Sequence, residues 1–292
     1  MLGVSIAPIH LQAASELEQH LRDQYQGKTL LLRDFYSGDR LRYDSTGSPA
    51  SGASPGDWTT SGFVQVNDIR VSDRRLTVKA KRLVVELRKG PFQFADDTPK
   101  KRKKGPFLEI EVDLESSSPP PEQVDAALSK VFLTAQDSFA ELVPDYWKPC
   151  VPQGLSGGQS NCIFSPDFAD IPGIASQRQS TAPPSKAGSA RYTRAANVTQ
   201  LQRGMSPPRA IFSPEPQFSE VARQAKFQGV ITLGLVVDTS GNPIDIHILT
   251  PLGCGLDEKA VQAVQSWRFK PAEKDGQPIN FQIAVEVDFH LY

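Results

Sequence analysis

The residue types able to do chemistry in this 292-residue chain are few and scattered. Gly154-Leu155-Ser156-Gly157-Gly158 has the G-x-S-x-G spacing that presents a nucleophilic serine, a device that needs a tight strand-to-helix turn and a histidine in reach. Pro152 comes just before it, no helical pattern follows, and the surroundings are loop in composition. The histidines are His10, His20, His247 and His290; the last two fall on strand candidates, where they read as surface residues rather than metal ligands. Cys150, Cys162 and Cys254 have no paired C-x-x-C spacing, which argues against a structural zinc site. No phosphate loop or dinucleotide fingerprint occurs. The expectation is a protein with no catalytic residue, no metal site and no cofactor.

The main chain offers another kind of chemistry. At the C-terminal end Phe281, Ile283, Val285, Val287, Phe289 and Leu291 alternate with Gln282, Ala284, Glu286, Asp288 and His290. A period of two marks a strand with one buried and one wet face. If that strand lies at a sheet edge, its unpaired N–H and C=O groups can take up another strand. The occupant is then an extended segment of another protein, or a second copy of this chain forming a homodimer.

Several elements must position that strand. The lead-in at 206–217 is too rich in proline for a helix or a central strand. Ser219 can cap a short helix with Glu220 in its first turn, Val221, Ala222 and Ala225 as its apolar stripe, and Gly229 as its stop. Residues 230–237 are apolar on both faces and read as a central strand. Residues 238–242 turn the chain, with Gly241 available for positive φ, into a second arm where Ile244, Ile246 and Ile248 alternate with Asp245 and His247. Asp257 reads as the cap of a second helix, with Leu256 and Val261 spaced as a hydrophobic staple and Ala260, Val264 and Trp267 following. Asp275-Gly276 then turns the chain into the last strand.

In that order of helix, two strands, helix and strand, the region resembles the C-terminal domain of TonB-type energy transducers. Pro214-Glu-Pro-Gln-Phe-Ser-Glu-Val-Ala-Arg223, Gln228-Gly229, Leu252-Gly-Cys-Gly-Leu-Asp257 and Trp267-Arg-Phe-Lys-Pro-Ala272 carry the resemblance, which covers about the last third of the chain. It implies a periplasmic domain with a three-stranded antiparallel sheet. It also implies a partner: a short segment of an outer-membrane TonB-dependent receptor, or of another envelope protein, added beside the last strand by β-augmentation. The contact residues carried over are Phe281, Gln282, Ile283, Ala284, Val285, Glu286, Val287, Asp288 and Phe289. The family often has Tyr-Pro where this chain has Phe218-Ser219; Phe218 keeps the ring and joins the contact set. In the oxidising compartment that the resemblance implies, Cys150 and Cys162 bracket a loop they can staple as a disulfide, whereas Cys254 reads as a small packed residue.

The whole chain sets wider bounds. With 39% hydrophobic residues it can bury real cores, and a net charge of −1 argues against nucleic acid as a bulk electrostatic partner. Residues 1–14 contain no Lys or Arg and read as a truncated secretory signal or an ordinary flexible N-terminus. No run approaches the ~20 apolar residues of a membrane-crossing helix, so no membrane anchor is expected in the chain as given. Residues 15–164 read as a β-rich domain of unknown function, an antiparallel sheet with flanking helices. Its candidate elements are an amphipathic helix at 16–25, strands at 28–36 and 40–44, a hairpin of 58–71 with 74–89, a strand at 107–114 and a helix from Pro121. The basic run at 100–104 reads as a solvated hairpin tip, with anionic lipid headgroups as the sharper alternative. Residues 165–205 read as a flexible linker, and 206–292 as the C-terminal domain. The fold class expected is α+β.

Overall fold

The structure, a computed structural model, describes residues 9–51, 53–87, 93–95, 107–134, 137, 139–150 and 204–291. The expectations placed on residues 1–8, 100–104, 154–158, Cys162 and 165–203 lie outside these. The fold is α+β. Two compact units form: Met1–Val84 with Asp96–Asp137, and Val85–Ala95 with Ser138–Tyr292. No described helix is long and apolar enough to cross a membrane.

The first unit runs α1 (Ile9–Tyr25), β1 (Thr29–Leu31), β2 (Arg40–Tyr43), β3 (Pro49–Ser51), β4 (Phe63–Ser72) and β5 (Arg75–Leu83). After β6 (Val85–Glu86) and β7 (Gln93–Phe94), which belong to the other unit, it continues with β8 (Phe107–Asp113) and α2 (Pro121–Val131). Its six strands lie in the order β1-β4-β5-β8-β2-β3. Every pair is antiparallel except β2–β8, which runs parallel. The alternating pattern of β5 buries Leu76, Val78 and Ala80 against Leu17 and Leu21 of α1 and Val124 and Leu128 of α2.

Arg82, next in that pattern, is also buried, and its guanidinium donates to the carbonyls of Ser61, Tyr36 and Gly38. Burial lowers its pKa. On the opposite face the buried carboxylate of Glu111 lies 3.2 Å from Arg42 and 3.6 Å from Arg75. Three expectations shift here. The strand expected at 28–36 stops at Leu31, and Phe35 takes a left-handed φ of 50°. The start of the expected hairpin, Trp58–Gly62, is a π-helical turn. The hairpin arm expected at 74–89 ends as β5 at Leu83, and its partner β4 carries a bulge between Val66 and Asp68.

The second unit contains β6 and β7, α3 (Phe139–Leu142), a 3₁₀ turn at Asp145–Cys150, β9 (Met205–Ser206), β10 (Arg209–Phe212) and α4 (Glu220–Ala225). It continues with β11 (Gly229–Val237), β12 (Pro243–Thr250), α5 (Leu256–Gln265), β13 (Arg268–Lys270), β14 (Ala272–Lys274), β15 (Gln277–Ile279) and β16 (Phe281–Phe289). The main sheet has the order β12-β11-β16, so the strand that is apolar on both faces is the central one. Ile231, Leu233, Leu235 and Val237 line its inner face, and α5 buries Leu256, Ala260, Val261 and Val264.

Packing therefore gathers Val85, Leu87 and residues 139–150, all on the N-terminal side of residue 164, into the same unit as 204–291. The lead-in does form one short strand: past Pro207-Pro208, β10 pairs with β13. Asp275-Gly276 is the tip of the β14–β15 hairpin, with φ of 52° and 79° at the two positions where such a tight turn needs positive values. At Gly241 (φ 83°) a Cβ would sit 1.9 Å from the carbonyl oxygen of Phe269, so both conformation and space require glycine.

Candidate strand-addition site

Alternation in the last strand carries through to three dimensions. In β16, Phe281, Val287 and Phe289 are buried and Ile283 and Val285 half-buried, while Gln282, Ala284, Glu286 and Asp288 are exposed. The strand pairs with β11 in an unbroken antiparallel ladder of nine residue pairs, from Gly229↔Phe289 to Val237↔Phe281. Among the described residues β11 is its only strand neighbour. In such a ladder alternate residues point their N–H and C=O away from the partner. The far side of β16 is therefore a row of main-chain donors and acceptors with no described strand beside it.

The C-terminal end of this row is fixed from two sides. The Phe218 ring packs edge-on against Phe289, with centroids 5.3 Å apart and planes at 88°. Gln228 Oε1 accepts from the main-chain N–H of Leu291 at 2.8 Å. Phe218 is held in turn by its neighbour. Ser219 Oγ caps α4 by accepting from Ala222 N at 3.0 Å, and donates to the Cys254 carbonyl at 2.5 Å. The structure thus places Phe218, which the sequence reading put in the contact set, against the C-terminal end of β16.

The other outer strand, β12, is built differently. Its pairing with β11 shifts register between Thr232 and Leu233 and again between Gly234 and Val236, and Asp245 has a φ of 51°. The expected alternation is lost as a result: Ile244 is exposed, and Ile248 and Leu249 are both buried. The 3₁₀ turn at Asp145–Cys150 packs on this strand, with Cys150 Sγ 3.1 Å from the carbonyl oxygen of Ile248. Trp147 in the same turn is fully buried and its Nε1–H donates to Glu258 of α5 at 3.2 Å.

The loop before α5 is clamped on both sides. Leu87 N donates to the Leu252 carbonyl and Cys254 N to the Val85 carbonyl, each at 2.8 Å. The buried Asp257 carboxylate accepts from Leu252 N at 2.8 Å and Gly253 N at 2.6 Å. Asp257 therefore latches the preceding loop, and the helix cap position belongs to Gly255 (φ 72°). A second correction concerns α4, whose left-handed stop is Lys226 (φ 54°), with Gly229 already in β11. The turn at 238–242 forms as read. The Asp238 carboxyl, bonded to the N–H and side chain of Asn242 and to Ser240 N, is held below the usual carboxylate range.

His247 and His290 are not brought together. His247 pairs across from Gly234, and its ring occupies the space a Cβ there would need, 2.4 Å from Nε2. His290 follows the Phe289↔Gly229 pair, roughly 17 Å further along the sheet. Among the described residues no group of His, Cys, Asp and Glu is placed to hold a metal ion. Cys150 is disulfide-bonded and Cys254 is free and buried, while Cys162 lies outside the described residues. Trp147 had no sequence signal, since its 3₁₀ turn is too short for any period to show. Val85 and Leu87, read as part of the hairpin arm at 74–89, lie instead in and just after the two-residue β6, beyond the end of β5.

Residues 214–291 match the family described as Gram-negative bacterial TonB protein C-terminal. Over 78 residues the chain is 30% identical to Protein TonB of Vibrio cholerae, covering 26% of this chain and 32% of that one. Over 82 residues it is 30% identical to Protein tonB2 of Pseudomonas aeruginosa, covering 28% of this chain and 30% of that one. The chain thus spans about a third of the length of these curated relatives. The solution NMR structure of the Pseudomonas aeruginosa TonB CTD aligns at 20% identity over 30% of this chain and 88% of that one, with a TM-score of 0.25. At that score the assignment rests on the sequence matches and not on the superposition. The matched stretch contains Phe218, both helices that flank the sheet and the whole of β16: residues 214–291 are a TonB-type C-terminal domain.

Proposed function

We propose that this protein is a non-enzymatic binding protein of the bacterial periplasm, whose C-terminal domain receives an extended segment of an outer-membrane receptor or another envelope protein alongside β16. Its setting in this reading is energy-dependent transport. The observation that carries it is the geometry of β16, with a nine-pair ladder to β11 on one side and no described strand on the other. The family match over 214–291 supports the same reading, because it takes in the whole of that strand. Main-chain bonds along the edge supply affinity and the alternating side chains supply selectivity. Phe281 to Phe289 make the contact, with Phe218 bracing its end through Phe289. The disulfide of Cys150 is proposed to close on Cys162.

Size-exclusion with light scattering tests the occupant of the edge. The expected result is a monomer that takes up one receptor-derived peptide per chain. A dimer that the peptide fails to dissociate would give the edge to a second copy instead.

A further inference from the structure

We infer that the segment received by β16 is one whose side chains alternate apolar and basic. The inference rests on the strand-addition reading above and adds the chemistry of the guest. An added strand places its successive side chains on opposite faces, each beside the β16 residue it pairs with. The two faces of β16 offer different company.

On the inner face Phe281, Val287 and Phe289 are covered by the domain itself, whereas Ile283 and Val285, in the middle of the strand, remain half-buried. Apolar guest residues beside them complete that burial. On the outer face Glu286 and Asp288 are exposed and stand two residues apart, roughly 7 Å along the strand. Their neighbours across β11 are Thr232 and Val230, both uncharged. No ion pair or hydrogen bond joins either carboxylate side chain to another described residue. A Lys or Arg opposite each finds an opposite charge, and an Asp or Glu there meets a like one. That repulsion gives selectivity beyond the sequence-blind main-chain bonds.

The experiment compares three nine-residue peptides with valine at every second position and Lys, Thr or Glu at the others, titrated into the full chain and followed by fluorescence anisotropy. The expected order of affinity is Lys over Thr over Glu, with the Lys peptide about 2- to 30-fold ahead of Thr. That gap should narrow at high salt and close in the double variant Glu286→Gln, Asp288→Asn. Equal affinities in the native chain, or a preference for Glu, would overturn the charge selection while leaving strand addition in place; the two carboxylates would then serve solubility alone. Failure of all three to bind, or undiminished binding to a folded variant with proline in β16, would overturn the site itself and this inference with it.

Discussion

The two outer strands of the C-terminal sheet face the same hazard and treat it in opposite ways. β12 begins at Pro243, changes register twice against β11, carries a left-handed residue at Asp245 and lies under the turn that ends at Cys150. Proline, bulges and a covering segment are the devices by which proteins disarm an edge. β16 keeps register over nine pairs and, among the described residues, has none of these along its length, only the charges of Glu286 and Asp288 on its wet face. A straight, uncovered edge is a standing aggregation risk, and it is also what an incoming strand requires. The contrast supports the proposal that β16 is the receiving edge and β12 the closed one, and each arm of it can be attacked separately.

The largest effect is expected at Trp147, on the closed side. Trp147→Ala empties a fully buried site and removes the indole donor to Glu258, and should cost about 3–5 kcal/mol in chemical denaturation of the C-terminal unit. A loss below about 1 kcal/mol would mean that residues 145–150 are not part of that folding unit. Next come two prolines on the open side, Val285→Pro and Glu286→Pro. Because neighbouring residues alternate in direction, one variant deletes a donor to β11 and the other a donor to the free edge. The first should unfold the domain by circular dichroism, and the second should stay folded and lose peptide binding. If both fold and both bind, β16 does not receive the peptide.

Phe218→Ala should act more weakly. It deletes an edge-on aromatic pair of about 0.5–1.5 kcal/mol, loosening the Phe289 end of the strand and reducing peptide affinity about 2- to 10-fold. The smallest effect concerns Asp238, in the turn between β11 and β12. Its folded pKa is depressed, first by the N–H of Asn242, so its contribution is complete above the unfolded value of about 3.9 and disappears as pH falls through the folded one. The acid limb of the stability curve should therefore flatten in Asp238→Ala, while stability around neutral pH drops slightly.

How much of this could be read in advance depended on the range of the interaction. The last strand and the central strand were legible because a period of two, and an apolar run on both faces, are local patterns that burial enforces. Phe218 was legible only through the family resemblance. Asp257 was misread because an acid at the start of a helix fits a capping pattern equally well whether it bonds forward or back. The left-handed run at Gly253, Cys254 and Gly255, with φ of 84°, 56° and 72°, fixes the helix start and turns that carboxylate toward the loop. Lys226 was passed over as the stop of α4 because only the backbone, not the residue type, marks a left-handed lysine. The parallel β2–β8 pair and the inclusion of Val85 and Trp147 in the C-terminal unit depend on contacts between distant residues, which no local window contains.

The most direct test of the account is amide hydrogen exchange read residue by residue by NMR, with and without the valine–lysine peptide. The peptide should protect alternate amides between Phe281 and Phe289 and leave those of Pro243–Thr250 as they were. Saturating peptide that protects β12, or that leaves the exchange of β16 unchanged, would contradict it.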